Sequence, residues 1–163
     1  MVFVVNFDFQ PHDHGRCVKT ALQSAEAYCV REKLQFTKLR RRVLELLLAE
    51  HKAQGAYDLL GTLAKEGLGS QPPVVYRALD FLVSNGFAHK IENRNAYIAC
   101  AHPESEHVPA FMICRVCDGV VETATTISQN SLADVAKKAE FQIEKLVVEA
   151  VGLCPGCMGQ GQA

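Results

Sequence analysis

The chain has 163 residues, 48% apolar and 21% charged, enough to bury a core for one domain or two small ones. Its net charge of −1 is unpromising for a nucleic-acid binder, and seven cysteines, an odd number, argue for a reducing cytosol rather than a secreted disulfide framework. No apolar run approaches the roughly 20 residues of a membrane span, and residues 1–9 lack the basic flank of a secretory signal.

Residues 1–15, with His12 and His14, read as a flexible extension. Residues 20–33 are compatible with a first helix. From Thr37, in the N-cap position, Leu39, Val43, Leu46 and Leu47 fall on one face of a second. A third spans Ala56–Lys65 and ends near Gly67. Pro72 and Pro73 mark the first turn of a fourth, where missing N–H groups cost nothing, and Gly86 stops it after Asn85. Phe87–Glu92 and Ala96–Cys100, joined by a turn at residues 93–95, then form a hairpin.

Helices followed by a small hairpin make a winged helix-turn-helix, in which the later helix enters the DNA major groove and the wing lies against the backbone. On the fourth helix Val75, Leu79, Leu82 and Val83 form a buried stripe; Pro73, Arg77, Asp80 and Ser84 form an exposed one. Arg77 is placed to reach a guanine edge, or to pair with Asp80 on its own helix. Tyr57 and Tyr76 stand at helix starts, placed for base or phosphate contact or for packing. Arg40, Arg41 and Arg42 are either a phosphate grip or a solvated face.

The rear of the chain reads as strands Ala110–Ile113 and Val120–Thr123, a helix Ser128–Ala139 and a strand Phe141–Val151. Charge divides the same way. Residues 16–99 carry 13 Lys and Arg against 8 Asp and Glu, whereas residues 100–163 carry 4 against 8. The fold class expected is therefore α+β. It comprises a winged-helix domain over 16–100, a linker over 101–109 and a small α/β domain over 110–163.

Two Cys-x-x-Cys pairs, Cys114–Cys117 and Cys154–Cys157, carry the strongest chemical signal. Four thiolates brought together make a closed tetrahedral site of the kind a structural Zn²⁺ prefers. Gly119 is placed to take a left-handed turn after the first pair. Disulfides or core thiols are the alternative. A second constellation, His89, Cys100, the linker histidines His102 and His107, and Glu122, offers N, S, N and O donors that suit tetrahedral zinc. Taken singly, His89 reads as a core histidine, Cys100 as a buried thiol and Glu122 as a surface acid. Cys17, Cys29 and His51 read as ordinary residues, and His102 as a loose candidate ligand.

The run from Pro72 to Leu82, with residues 86–90, 56–60 and 96–100 and both Cys-x-x-Cys pairs, resembles the ferric-uptake-regulator family of metal-sensing repressors, most closely its zinc-uptake branch. The resemblance spans roughly residues 20–158. It implies a cytoplasmic homodimer with an N-terminal DNA-binding domain and a C-terminal dimerisation domain. It implies two zinc ions per chain: a structural one on Cys114, Cys117, Cys154 and Cys157, and a regulatory one on His89, Cys100, His107 and Glu122. Tyr57 and Arg77 match positions that contact a palindromic operator. The implied output is repression of zinc-acquisition genes, with no enzymatic role, small-molecule substrate or membrane partner.

Iron, manganese and peroxide sensors share this scaffold. However, the segment before Cys114 is poor in histidine, and a thiolate at Cys100 favours zinc over harder metals. A zinc hydrolase would need an open ligand position, which four protein donors close. A zinc-stapled protein-interaction module is the remaining reading from a different class.

Overall fold

The computed structural model describes residues 14–49, 52–101, 103, 107–124 and 127–159. The extension over residues 1–13, His51 and His102 lie outside them, as do the side chains of His14 and Cys17. The chain divides into two compact units, Pro11–Pro103 and Glu104–Ala163.

In the N-terminal unit the helices are α1 (His14–Arg31), α2 (Lys38–Ala49), α3 (Ala56–Lys65) and α4 (Pro72–Ser84). Thr37 caps α2, its Oγ1 accepting from Arg40 N–H at 3.3 Å. The four helices bury Leu22, Ala25 and Cys29 from α1, Val43, Leu44 and Leu47 from α2, Leu59 and Leu63 from α3, and Val75, Ala78, Leu79 and Leu82 from α4. These recur at helical spacing, so each helix turns one apolar stripe inward.

The hairpin pairs β2 (Ala88–Ile91) with β3 (Ala96–Ala99), antiparallel, with His89 opposite Ile98. A single 3₁₀ turn and Asn95 in the left-handed region, at φ 46°, reverse the chain between them. Sequence inspection misses β1 (Gln54–Gly55), which completes the sheet on the other edge of β3. Two residues leave no alternating pattern to detect.

Among the described residues, three other helices end in the same hydrogen-bond pattern as α1. After α1, Leu34 N–H bonds Cys29 C=O at 2.8 Å and Lys33 N–H bonds Val30 C=O at 3.2 Å. Equivalent pairs follow α3 and α4, where Gly67 and Gly86 take the left-handed position, and α5 (Ile127–Lys138), where Glu140 takes it.

In the C-terminal unit, β4 (Pro109–Cys114) is the central strand, antiparallel to β5 (Val120–Ala124) and parallel to β6 (Val148–Gly152). The expected strand from Phe141 is therefore mostly absent: residues 141–147 are irregular. Ala110 pairs with Val148 and β4 starts at Pro109, which has no N–H, so nothing remains for 141–147 to pair with. A one-turn helix α6 (Pro155–Met158) follows β6. No helix among the described residues is long and apolar enough to cross a membrane.

Candidate metal centres

The C-terminal unit brings all four cysteines of the two Cys-x-x-Cys pairs together, their Sγ atoms lying within 4.8 Å of one another. Cys114 ends β4, and the chain turns back through Asp118 N–H to Cys114 C=O at 3.1 Å and Cys114 N–H to Gly119 C=O at 2.9 Å. The left-handed residue of this knuckle is Asp118, at φ 57°, and not Gly119 as expected from residue type. A short Asp side chain tolerates that region better than most.

The second pair is set by α6. Cys154 is its N-cap and Pro155 its first residue, so the three-residue spacing to Cys157 places both thiols one turn apart. Parallel pairing of β4 with β6, continued by Arg115 N–H to Gly152 C=O at 2.9 Å, carries this turn to the knuckle. Cys154 N–H then points at Cys114 Sγ at 3.4 Å, and the Sγ atoms of Cys117 and Cys154 lie 3.8 Å apart. None of the six described cysteines is in a disulfide.

The thiols are electrostatically unequal. Backbone N–H groups of Cys117, Cys154 and Val116 converge on Cys114 and lower its pKa to about 6. Cys157, hydrogen-bonded to Cys154 and desolvated, is pushed up to about 12. N–H groups aimed at a sulfur, around a closed set of four soft donors, fit a tetrahedral Zn²⁺ better than a core of neutral thiols.

The other predicted ligands fall in pairs, one pair in each unit. In the N-terminal unit His89 on β2 and the buried Cys100, just after β3, bring their ligand atoms within 4.8 Å. Cys100 is fixed by its N–H to Phe87 C=O at 2.9 Å. In the C-terminal unit His107 Nε2–H donates to Glu122 Oε1 at 2.6 Å. A ring nitrogen and a carboxylate oxygen sharing one proton are a donor pair from which a metal ion can displace that proton.

Of the predicted DNA-contacting residues, Tyr57 at the start of α3 is 71% exposed and Arg77 on α4 is exposed, with no ion pair to Asp80. Tyr76 is half-buried and packs against the core. Pro73, Asp80 and Ser84 share the exposed face of α4 with Arg77.

The arginine run resolves differently from either sequence reading. Arg40 donates to Gln35 C=O and stacks 3.7 Å from the centre of the Phe81 ring on α4. Arg41 pairs with Glu26 on α1 and Glu45 on α2, and Arg42 with Glu45 and with Glu66 after α3. Sequence reasoning missed the Glu26, Glu66 and Phe81 partners because they lie on other elements, far off in the chain. Cys29 is an ordinary core thiol, which burial pushes up from its usual pKa.

The ferric uptake regulator family model matches residues 31–151. The zinc uptake regulation protein of Escherichia coli (strain K12) is 37% identical over 138 residues, covering 84% of this chain and 81% of that protein. A zinc uptake regulator solved in complex with zinc and DNA superposes with a TM-score of 0.84 at 35% identity, covering 88% of this chain and 96% of the other. The crystal structure of holo XcZur gives a TM-score of 0.78 at 37% identity, covering 86% and 98%.

Proposed function

Since the chain belongs to the ferric uptake regulator family, we propose that it is a zinc-responsive, sequence-specific DNA-binding repressor of zinc-acquisition genes, active as a cytoplasmic homodimer. The observation that carries this reading is its likeness, at a TM-score of 0.84, to a regulator solved with both zinc and DNA. The local chemistry agrees. The N-terminal unit presents an exposed helix face behind a two-stranded wing, and the C-terminal unit presents a four-thiol cluster.

We assign structural zinc to Cys114, Cys117, Cys154 and Cys157. When bound, it supplies a fixed tetrahedral node. Cys154 and Cys157 then tie the end of β6 to the knuckle after β4, while Cys154 N–H shares the charge of Cys114.

A second, regulatory zinc is assigned to His89, Cys100, His107 and Glu122. Their donor set includes a thiolate, which selects against manganese and the harder iron ions. Two ions per chain are therefore expected. His89 sits on the wing strand, so its engagement as a ligand restrains the wing that flanks α4.

For DNA, Arg77 and Tyr57 are the exposed contacts, with Tyr76 next to Arg77 on the helix. A twofold dimer offers two such helices to a pseudo-palindrome. The C-terminal unit supports pairing: β6 bonds to β4 alone, and Leu132, Val135, Phe141 and Val151 leave apolar surface exposed.

The test is binding of the purified dimer to a labelled palindromic operator, at fixed salt, as buffered free zinc is titrated. Affinity should rise steeply with zinc and not with iron or manganese at cellular levels. A response to iron instead would move the protein to the iron-sensing branch. No DNA binding under any metal would leave a zinc-stapled interaction module.

A further inference from the structure

Arg42 makes three side-chain hydrogen bonds to two carboxylates in the N-terminal unit. Its Nε and Nη2 donate to the two carboxylate oxygens of Glu66 at 2.8 and 2.7 Å, and Nη1 donates to Glu45 Oε2 at 3.0 Å. The bond to Glu45 lies within α2, whereas the fork to Glu66 reaches the C-cap of α3. An isolated surface ion pair contributes little, but a planar two-point fork with a third bond holding the same guanidinium has little freedom left to lose.

Glu66 is in an unfavourable place by itself. The carbonyl end of a helix repels negative charge, and Glu66 stands at that end of α3. Arg42 reverses the balance: it holds the Glu66 carboxyl below its usual range, and its own guanidinium is held charged. With ten residues, α3 is too short to persist without external support. Tyr57 stands at its other end, and the turn after Glu66 leads through Gly67, in the left-handed region, into α4 and Arg77. The clamp therefore sits where the helix-turn-helix would pivot.

We propose that Arg42, through its fork to Glu66, is a positioning residue for operator binding: it fixes the end of α3 from which the turn into α4 departs, and it does not grip phosphate itself. This rests on the DNA-binding reading above. It makes a prediction opposite in sign to simple electrostatics. Replacing Glu66 by Gln removes a negative charge from a protein that binds a polyanion, which alone should tighten binding. The clamp requires the reverse.

The experiment uses the full-length, zinc-loaded protein and the palindromic duplex that wild type selects from a random-sequence pool. Arg42→Lys and Glu66→Gln should each weaken binding by about five- to tenfold, and the double variant should be no worse than either single one. The slope of affinity against salt should stay at the wild-type value. Amide exchange in DNA-free protein should quicken over residues 62–68 in both variants while the thermal midpoint moves little.

If Glu66→Gln tightens binding or leaves it unchanged, the proposal fails. If Arg42→Ala lowers the salt slope by about one phosphate contact, Arg42 is a direct phosphate ligand and the proposal is wrong. Unchanged amide exchange over 62–68 overturns the clamp independently of any DNA. If wild type selects no duplex, it is the DNA-binding reading that fails, and a positioning role fails with it.

Discussion

Cys117 Sγ lies 3.8 Å from Cys154 Sγ although 37 residues separate them in the chain. Parallel pairing of β4 with β6 brings the two segments together. The unit around it has a three-stranded sheet, and α6 is a single turn. Zinc in small domains contributes about 10–16 kcal/mol, comparable with the whole stability of an ordinary domain at about 5–15 kcal/mol. Replacing Cys154 by Ser should therefore dissolve the C-terminal unit and the dimer together rather than weaken them by degrees. Light scattering after size exclusion, with zinc content measured on the same sample, is the check. A variant that stays dimeric and keeps its full zinc would remove the structural role.

A second prediction concerns backbone strain. Lys33 and Glu140 occupy the left-handed position at the ends of α1 and α5, at φ 56° and 53°. A residue with a Cβ is disfavoured there by about 1–2 kcal/mol, and glycine recovers that less its own entropy of about 0.5–1 kcal/mol. Lys33→Gly should stabilise the fold by about 0.5–1 kcal/mol, read as a higher urea midpoint with an unchanged slope. The Lys33 side chain is exposed and makes no ion pair among the described residues, so the substitution removes little else. A lower midpoint would show that the αL turn is not strained.

These two ends also show what sequence could and could not reveal. Gly67 and Gly86 advertise the ends of α3 and α4 by residue type, and both boundaries were legible. Lys33, Asp118 and Glu140 hold the same backbone conformation without any such signal. The clustering of the four cysteines was legible because two Cys-x-x-Cys pairs are the spacing that suits one tetrahedral site. Apolar alternation over Phe141–Val151 reads as one strand, but the length of β4 decides how much of it can pair, and that is a tertiary fact. Arg40–Arg42 read as a basic patch for the same reason: their partners Phe81, Glu26 and Glu66 lie on other elements.

For the proposed regulatory ligands, Cys100→Ser is the discriminating change. Serine keeps the size and the N–H to Phe87 C=O but loses the thiolate, the softest donor of the set. Zinc-dependent operator binding should vanish while the dimer and the Cys114–Cys157 zinc survive. The coupling it removes is typically about 1–3 kcal/mol, or about 5–150-fold in operator affinity. Linkage demands the converse in wild type, where saturating operator must tighten this zinc by the same factor. Competition with a chromophoric chelator, with and without operator, measures both sides. A Cys100→Ser protein that still responds to zinc would take His89, Cys100, His107 and Glu122 out of the sensing role.

Arg77 should control which operator is chosen, not merely how tightly DNA is held. It stands exposed on α4, five residues after the Pro72 start, on a face shared with Pro73 and Ser84. Asp80, one turn further on, does not sequester it in an ion pair. A guanidinium presented this way has its donor fork available for a guanine edge, where a bidentate pair is worth about 1–3 kcal/mol of discrimination. Arg77→Ala should therefore lower affinity by about that amount and flatten the preference at one base position in each half-site. A phosphate contact would behave differently, weakening all sequences alike and reducing the salt slope by about one. Competition with duplexes substituted singly across the half-site, at two salt concentrations, separates the cases. Uniform loss across every duplex would reassign Arg77 to the backbone and leave Tyr57 as the exposed candidate for base readout.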